Sequence, residues 1–439
     1  MAIKKPKQPE AIAKLLAQHP IPELFSLSED GLVRGEYLHW DDVRLRPPPG
    51  GVAHERWWAA LRLRRLIQQR ELPLRDVGGA TFSFVPTSTI DEAQHWIDMT
   101  AGGRIEMLPE VTTPDAKDRY YVSSLIQEAI TSSQLEGAST TRRVAEQMLL
   151  EGRKPRDRSE QMILNNFATM KRIGELRSKE LTPEIVFELH RLVTDQTMDD
   201  PTAAGRLRLP HERVVVGDAY GDIYHEPPLA AELPERLQAM CDFANGKTPR
   251  AFLHPFIRAI TLHFWLAYDH PFVDGNGRTA RSLFYWAMLH AGYWLFEFVS
   301  ISQVLLRAPA QYGRAFLLTE TDERDLTYFM HHHIAVVRRS VDDLHEHVKR
   351  RAREMDRLDR VLGSMDGLNH RQRELLAHAL RHPMARYTIE AHRTWHNVVY
   401  ATAYADLEDL ARRQLLTRHK VGRKFQYSPV RDLERKLSA

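Results

Sequence analysis

Residues 270 to 281 constrain this chain more than any other stretch, because they combine a histidine, a carboxylate, two glycines and two arginines within twelve residues. The stretch reads His-Pro-Phe-Val-Asp-Gly-Asn-Gly-Arg-Thr-Ala-Arg. The apolar residues that follow it, between positions 283 and 289, have helical character. The glycines therefore lie where a turn leads into a helix. The unsatisfied N–H groups and the dipole at a helix start favour an anion there.

The first half of this stretch carries groups for proton transfer and metal binding. His270 takes up a proton near neutral pH, as a general base must. Asp274 offers a hard carboxylate oxygen, and Mg²⁺ prefers carboxylates together with phosphate oxygens. These two residue types suit a reaction on a nucleotide triphosphate.

The second half of the stretch suits the phosphates. Gly275 and Gly277 flank Asn276 and have no Cβ, so backbone N–H groups can approach phosphate oxygens closely. Arg278 and Arg281 lie three residues apart and share a face of the predicted helix. We therefore expect both guanidinium groups to reach a phosphate chain. Phosphoryl-type transfer depends on such positioning and charge neutralisation more than on covalent help from the protein.

The stretch resembles the signature of Fic-domain proteins, His-x-Phe-x-(Asp/Glu)-Gly-Asn-Gly-Arg-x-x-Arg, at each of its defined positions. Proteins of this family mostly transfer AMP from ATP to a hydroxyl side chain of a target protein. The resemblance implies that His270 deprotonates that hydroxyl and that Asp274 binds Mg²⁺. It also implies an anion cradle and contacts with the β- and γ-phosphates. The residues so assigned are Gly275, Asn276, Gly277, Arg278 and Arg281.

The resemblance also narrows the reaction. A kinase-like branch of the superfamily has alanine at the position of Gly275, where a Cβ would hinder the approach of a phosphate. Glycine there favours nucleotidyl transfer over phosphorylation. The expected enzyme is a protein adenylyltransferase that uses ATP and Mg²⁺. Its expected substrate is a Ser, Thr or Tyr hydroxyl of a target protein, with self-modification included.

A second motif lies upstream, in residues 120–137. Its apolar residues recur at helical spacing, and Gly137 is typical of a helix stop. Ser132 and Glu136 are four residues apart and share a face near that end. The pattern Ser-x-x-x-Glu-Gly is similar to the inhibitory helix of regulated Fic proteins. It implies that Glu136 pairs with Arg281 and prevents productive ATP binding. The plain alternative is a solvated glutamate beside a helix end.

Two other functions compete with an inhibited AMP transferase. A glutamate placed like Glu136 could orient a water molecule for hydrolysis, which would give a bifunctional or mainly de-AMPylating enzyme. A regulator that binds DNA and uses the Fic core only as a nucleotide sensor is the second alternative. The intact core motif argues against a sensor without activity.

A third region resembles the flap segment that precedes the core in Fic proteins. It comprises Gly205–Arg208, Val214–Val216 and Tyr224–Pro228. Alternation of valines with polar residues, and turn signals at Gly217 and Gly221, predict a β-hairpin. In the family this hairpin holds a target peptide by strand addition. The alternative is a plain surface hairpin.

The C-terminal part differs in charge from the rest of the chain. Residues 371–439 contain 14 Lys and Arg but 7 Asp and Glu, a net charge of +7, whereas the whole chain has +3. Apolar spacing predicts three helices and then two short strands joined by a basic turn at Gly422. This resembles a winged helix-turn-helix, as appended to many Fic proteins. A basic wing could contact DNA phosphates, but the same fold also serves in protein docking and homodimer formation.

The expected fold is mainly α: a helical Fic core with a small β-hairpin flap, plus a C-terminal winged helix-turn-helix. A single cysteine, Cys241, excludes an internal disulfide framework and fits a reducing compartment. No apolar stretch approaches membrane-spanning length, and the basic N-terminus lacks the apolar core of a signal peptide. We therefore expect a cytoplasmic location without a membrane partner. His331–His333 are expected to be structural, because consecutive helix residues point in different directions.

The expected organisation has four segments, and all the proposed chemistry lies in the second. No chemistry is assigned to the first. The segments are an N-terminal extension (1–115), the inhibitory helix and Fic core (116–340), a connecting helix (341–360) and the winged helix-turn-helix (361–439).

Overall fold

The computed structural model describes residues 3–102, 114–218, 221–362, 367–382, 384–421 and 424–437, and most of them are helical. The predicted mainly α fold is therefore confirmed. The N-terminal part alternates short helices with one antiparallel hairpin. Its elements are α1 (Ile12–Gln18), α2 (Ile21–Leu27), α3 (Trp40–Val43), α4 (His54–Gln68), β1 (Arg70–Arg75), β2 (Thr81–Phe84) and α5 (Ser88–Ala101).

The central part is helical apart from one very short hairpin. The two strands of this hairpin pair antiparallel, with Val216 opposite His225, at the place of the predicted flap. The elements are α6 (Pro114–Leu135), α7 (Arg142–Glu151), α8 (Arg158–Leu176), α9 (Pro183–Thr194), β3 (Val216–Gly217), β4 (Ile223–His225), α10 (Leu233–Ala244), α11 (Pro255–Asp269), α12 (Asn276–His290), α13 (Ile301–Arg307), α14 (Pro309–Thr321) and α15 (Thr327–Leu362).

The C-terminal part has the element order of a winged helix-turn-helix: helix, strand, two helices and a β-hairpin. Its three strands form an antiparallel sheet with the last strand of the chain in the middle. Gly422 and Arg423, in the predicted turn of the wing, lie outside the described residues. The elements are α16 (His370–Arg381), β5 (Tyr387–Thr388), α17 (Ile389–His396), α18 (Tyr400–Arg412), β6 (Leu416–Val421), β7 (Lys424–Pro429) and α19 (Leu433–Leu437).

The described residues form two compact units, each built from several pieces of the chain. The first unit draws on Met1–Gly103, Ala168–Phe296 and Val304–Arg338. The second draws on Arg104–Phe167, Glu297–Gln303 and Arg339–Ala439.

The centre of the first unit is the pair of helices α11 and α12, which pack against each other along much of their length. α11 has Pro255 in its first turn, where proline is tolerated, and the His254 side chain accepts the Phe256 N–H. Both helices are buried on nearly all sides, which identifies them as core helices. The chain between them carries the first motif, so that motif is fixed by the best-packed part of the unit.

Buried charges join the N-terminal part of the first unit to the turn after α14. Arg62 is 4% exposed and lies 3.3 Å from both Asp322 and Asp325. Arg65, fully buried, donates to the Tyr328 hydroxyl at 3.0 Å. Charges are stable in such positions only when they are paired and hydrogen-bonded. The contacts give residues before the core a structural role.

In the second unit, α6 contacts α7 and α17, so the helix with the second motif packs against the helix-turn-helix. Glu128 on α6 is buried and accepts hydrogen bonds from the Ser300 hydroxyl at 2.8 Å and the Ser302 N–H at 3.2 Å. A carboxylate at the start of α13 satisfies N–H groups that a helix leaves open. Glu128 therefore anchors α6.

Within the described ranges, no helix combines the length and the apolar character needed to cross a membrane.

Candidate active site

His270 is the residue at which α11 ends. Its backbone is left-handed, with φ 45° and ψ 55°, and its N–H donates to the Leu266 carbonyl at 3.0 Å. The imidazole Nδ1 lies 3.2 Å from the Ala267 carbonyl oxygen. Because a carbonyl oxygen only accepts, Nδ1 carries the proton of the neutral ring. Nε2 is therefore the basic nitrogen, and the ring orientation is set by the helix end.

The residues from His270 to Gly275, here called the motif loop, are held from outside by Arg208. Its Nε donates to the His270 carbonyl at 3.0 Å, and its backbone N–H donates to the Pro271 carbonyl at 2.9 Å. Its guanidinium also donates to the Pro228 carbonyl, just after β4. Arg208 is buried and connects the segment after the flap with the motif loop. The sequence predicts a position of Arg208 near the flap but no role at the site.

Asn276 stabilises the motif loop from inside. Its side-chain oxygen accepts the Phe272 N–H at 2.9 Å, and its side-chain nitrogen donates to the Phe272 carbonyl at 2.8 Å. The side chain is 2% exposed. The amide is therefore used to shape the loop. A contribution of Asn276 to an anion cradle would come from its backbone N–H at the start of α12.

Gly275 is required by the protein itself. Its φ is +82°, a conformation that glycine adopts without strain. A Cβ at this position would lie 2.6 Å from Thr194 Cγ2 and 3.3 Å from His190 Nε2. The sequence predicts that this glycine leaves room for a phosphate, whereas in the structure a side chain there would collide with α9.

The two motif arginines are buried, with Arg278 1% and Arg281 2% exposed. Arg278 donates to the Val193 carbonyl at 2.8 Å and lies 3.6 Å from the Asp274 carboxylate. The Asp274 side chain is 44% exposed, and its Oδ1 accepts the Gly275 N–H at 2.6 Å. The structure thus brings Asp274, the glycine turn and Arg278 together, with the carboxylate as the accessible member.

Buried ring side chains of α11, α14 and α15 meet at His263. His263 is fully buried, with Nδ1 2.9 Å from His333 Nε2 and Nε2 2.8 Å from the Tyr312 hydroxyl. Burial lowers the pKa of His263 well below its ordinary value, and the charge of Arg281 lowers it further. The His263 ring must be neutral in order to pack beside the buried guanidinium of Arg281. No cluster of three or more metal-ligating side chains occurs in the described part of the chain.

The flap is fixed to α11 by His225. One ring nitrogen lies 2.8 Å from the Glu320 carboxylate, and the other lies 2.7 Å from the Tyr268 carbonyl oxygen. Burial lowers the pKa of His225, but the hydrogen bond and charge of Glu320 outweigh this and raise the pKa above its ordinary value. Two acceptors fit a ring that donates from both nitrogens. The flap therefore lies near the end of α11, which His270 directly follows.

The second motif ends α6 with a defined turn. α6 ends at Leu135, and Gly137 has φ +91°. The Ala138 N–H donates to the Ser133 carbonyl and the Gly137 N–H to the Gln134 carbonyl, which is the Schellman arrangement. Glu136 therefore lies directly after the last residue of the helix. Glu136 is exposed, whereas Ser132 is buried. Glycine at 137 fixes the position of the Glu136 backbone.

Comparison with known proteins decides the family of this site. Residues 180–288, from α9 to the end of the motif helix, match the profile of the Fic/DOC family. The chain contains a Fic domain. A Fic family protein from Desulfovibrio desulfuricans G20 has a similar fold, with a TM-score of 0.50 and 18% sequence identity. The match covers 79% of this chain and 98% of that chain, and shows similarity of fold.

Named relatives are similar to part of this chain. A protein adenylyltransferase Fic from Nematostella vectensis is 30% identical over 166 residues, which is 38% of this chain and 34% of the relative. A protein adenylyltransferase Fic from Drosophila willistoni is 30% identical over 179 residues, 40% of this chain and 33% of the relative. The chain thus spans about a third of the length of these relatives.

Proposed function

We propose that this protein transfers AMP from ATP to a Ser, Thr or Tyr hydroxyl of a target protein, itself included. The observation that carries the proposal is His270, held at a helix end with Nε2 as its basic nitrogen, next to the glycine turn of the Fic motif. In this proposal Nε2 takes the proton of the target hydroxyl, and the hydroxyl oxygen attacks the α-phosphorus of ATP. AMP then becomes bonded to the target, and pyrophosphate leaves.

The residues of the motif fit Mg²⁺ and ATP. Asp274 provides an accessible carboxylate beside a helix start, and Mg²⁺ is commonly bound by one or two carboxylates together with phosphate oxygens. Bound Mg²⁺ would neutralise phosphate charge. The N–H groups at the start of α12 would contribute to phosphate binding, together with the buried arginines. The residues in this role are Gly275, Asn276, Gly277, Arg278 and Arg281.

We further propose that Glu136 inhibits the transfer, with Ser132 and Gly137 as parts of the same element. The Schellman turn supports this, because it holds the glutamate backbone in one place while the side chain stays exposed. In the proposed inhibited state the carboxylate pairs with Arg281 and competes with the γ-phosphate for that cation. The same carboxylate could orient water and remove AMP, which is the competing function.

Intact-mass analysis tests the proposed transfer. In a first assay, purified protein is incubated with ATP and Mg²⁺ and its mass is measured. In a second assay, the protein is added to cell extract together with ATP that carries a radiolabel in its AMP part. The expected result is the mass of one added AMP on the protein, or labelled protein in the extract, with the stronger signal in Glu136→Gly. No incorporation by either wild type or Glu136→Gly, in either setting, would contradict AMP transfer.

A second proposal concerns the winged helix-turn-helix, which we propose binds duplex DNA. Residues 414–431 contain five Lys and Arg and neither Asp nor Glu. β6 is an edge strand, and its residues from Thr417 to Val421 are exposed. Arg418 is paired with Glu408 at 2.9 Å, whereas Lys420 and Lys424 are exposed on the wing. A strand that is basic and exposed complements a phosphate backbone.

Anisotropy of a labelled duplex, titrated with the full chain, tests DNA binding. Affinity is expected to fall steeply between about 50 and 200 mM salt. The double variant Lys420→Ala with Lys424→Ala should bind every sequence more weakly, and the slope of log affinity against log salt should fall by about two. Lys171→Ala with Lys179→Ala removes equal charge from elsewhere and serves as the control. No binding at low salt would contradict the proposal and leave protein docking or homodimer formation as the role.

A further inference from the structure

His190, on the last two turns of α9, is hydrogen-bonded through both ring nitrogens. Nε2 lies 2.8 Å from the Asp274 carbonyl oxygen, and Nδ1 lies 2.9 Å from the Gly205 backbone nitrogen. Since a carbonyl only accepts and a backbone N–H only donates, Nε2 carries the proton and Nδ1 the lone pair. The ring is therefore neutral, in one defined tautomer.

Packing fixes the plane of this ring. It is stacked on Phe272 with the ring centroids 3.7 Å apart and the planes 8° apart. His190 is 0% exposed. The absence of a side chain at Gly275 lets the loop lie against Nε2. The ring thus contacts the motif loop at Phe272 and Asp274, and it bonds to the segment that leads to Arg208.

We infer that His190 is a positioning residue for the peptide bond between Asp274 and Gly275. The carbonyl and the N–H of one peptide group turn together. By binding the Asp274 carbonyl, His190 fixes the direction of the Gly275 N–H, and that N–H in turn donates to Asp274 Oδ1. His190 therefore orients both the carboxylate and the start of α12. This inference rests on the proposed function, since it explains how the Mg²⁺-binding group of that function is aimed.

Two substitutions separate this role from simple core packing. In His190→Gln the amide nitrogen occupies the position of Nε2 and can still donate to the Asp274 carbonyl. In His190→Asn the amide oxygen occupies the position of Nδ1 and can accept only the Gly205 N–H. If His190 acts through Asp274, the Gln variant keeps AMP transfer within a few-fold of wild type. The Asn variant loses on the order of tenfold, the effect of one lost buried hydrogen bond, and needs more Mg²⁺ for half-maximal activity.

His39 provides a matched control in the same unit. It is 1% exposed, its Nδ1 accepts the Asp41 N–H at 3.0 Å, and its Nε2 lies 3.2 Å from the Thr321 hydroxyl. It packs in the N-terminal part of the unit, where its ring lies against those of Trp58 and Tyr328. His39→Asn is expected to lower the melting temperature without changing the Mg²⁺ requirement.

Amide hydrogen exchange of the peptide covering residues 271–282 gives a readout that needs no activity. The expected result is exchange about tenfold faster in His190→Asn than in wild type, with His190→Gln close to wild type. Unchanged exchange in His190→Asn, or equal effects of both substitutions on exchange and Mg²⁺ requirement, would overturn the inference. If the wild-type protein transfers no AMP at all, the proposed function fails, and the exchange data still decide the role of His190.

Discussion

Substitution of His270 by alanine is expected to abolish AMP transfer while ATP binding remains close to that of wild type. The base acts on the target hydroxyl, and its nitrogen is not among the groups proposed to bind phosphates. Loss of a general base typically lowers a rate by about 10²- to 10⁴-fold. Transfer is measured by radiolabelled AMP incorporation and ATP binding by calorimetry.

The left-handed backbone at His270 calls for a second variant. Histidine is enriched among residues with a left-handed backbone and alanine is not, so at φ of +45° His270→Ala alone could lose activity by distortion of the loop. Asparagine adopts this conformation more readily and has no basic nitrogen. His270→Asn is therefore expected to be as inactive as His270→Ala, with an unchanged melting temperature. Transfer at the wild-type rate by either variant would show that His270 is not the base.

The features that sequence reasoning predicted correctly depend on neighbouring residues. A glycine turn that opens a helix, and a helix that stops at Gly137, need a few contiguous positions. The flap was also predicted, although β3 starts only at Val216 because pairing begins opposite His225. Such features depend on local backbone preferences, and a single sequence contains them.

The features that could not be predicted from the sequence depend on contacts between positions far apart along the chain. His190 is 84 residues from Asp274 along the chain, and Arg208 is 62 residues from His270. A lone histidine in an amphipathic helix gives no sign of which carbonyl it meets. Burial of Arg278 against α9 is of the same kind. Only the packing of α9 beside α12 shows that side chains of another helix hold the motif loop in place.

Glu136→Gly is expected to raise AMP transfer at least tenfold. In the proposed inhibited state the carboxylate of Glu136 pairs with Arg281 and lies near the position that the γ-phosphate would take. Two unit charges about 4 Å apart interact by roughly 4 kcal/mol at an effective dielectric constant of about 20. A third of that energy changes a rate by about tenfold. AMP incorporation, on the protein itself or on a target, is the measurement.

Glycine at position 136 also loosens the end of α6, because two glycines would then follow Leu135. Glu136→Gln keeps the side chain at the helix end and removes only its charge, so a gain in both variants assigns inhibition to the carboxylate. Arg281→Ala should not activate, since it removes the phosphate partner together with the inhibitory one. Equal incorporation by wild type and Glu136→Gly would leave Glu136 an ordinary surface residue. Loss of AMP removal in Glu136→Gly, without a gain in transfer, would instead identify the carboxylate as the group that orients water for hydrolysis.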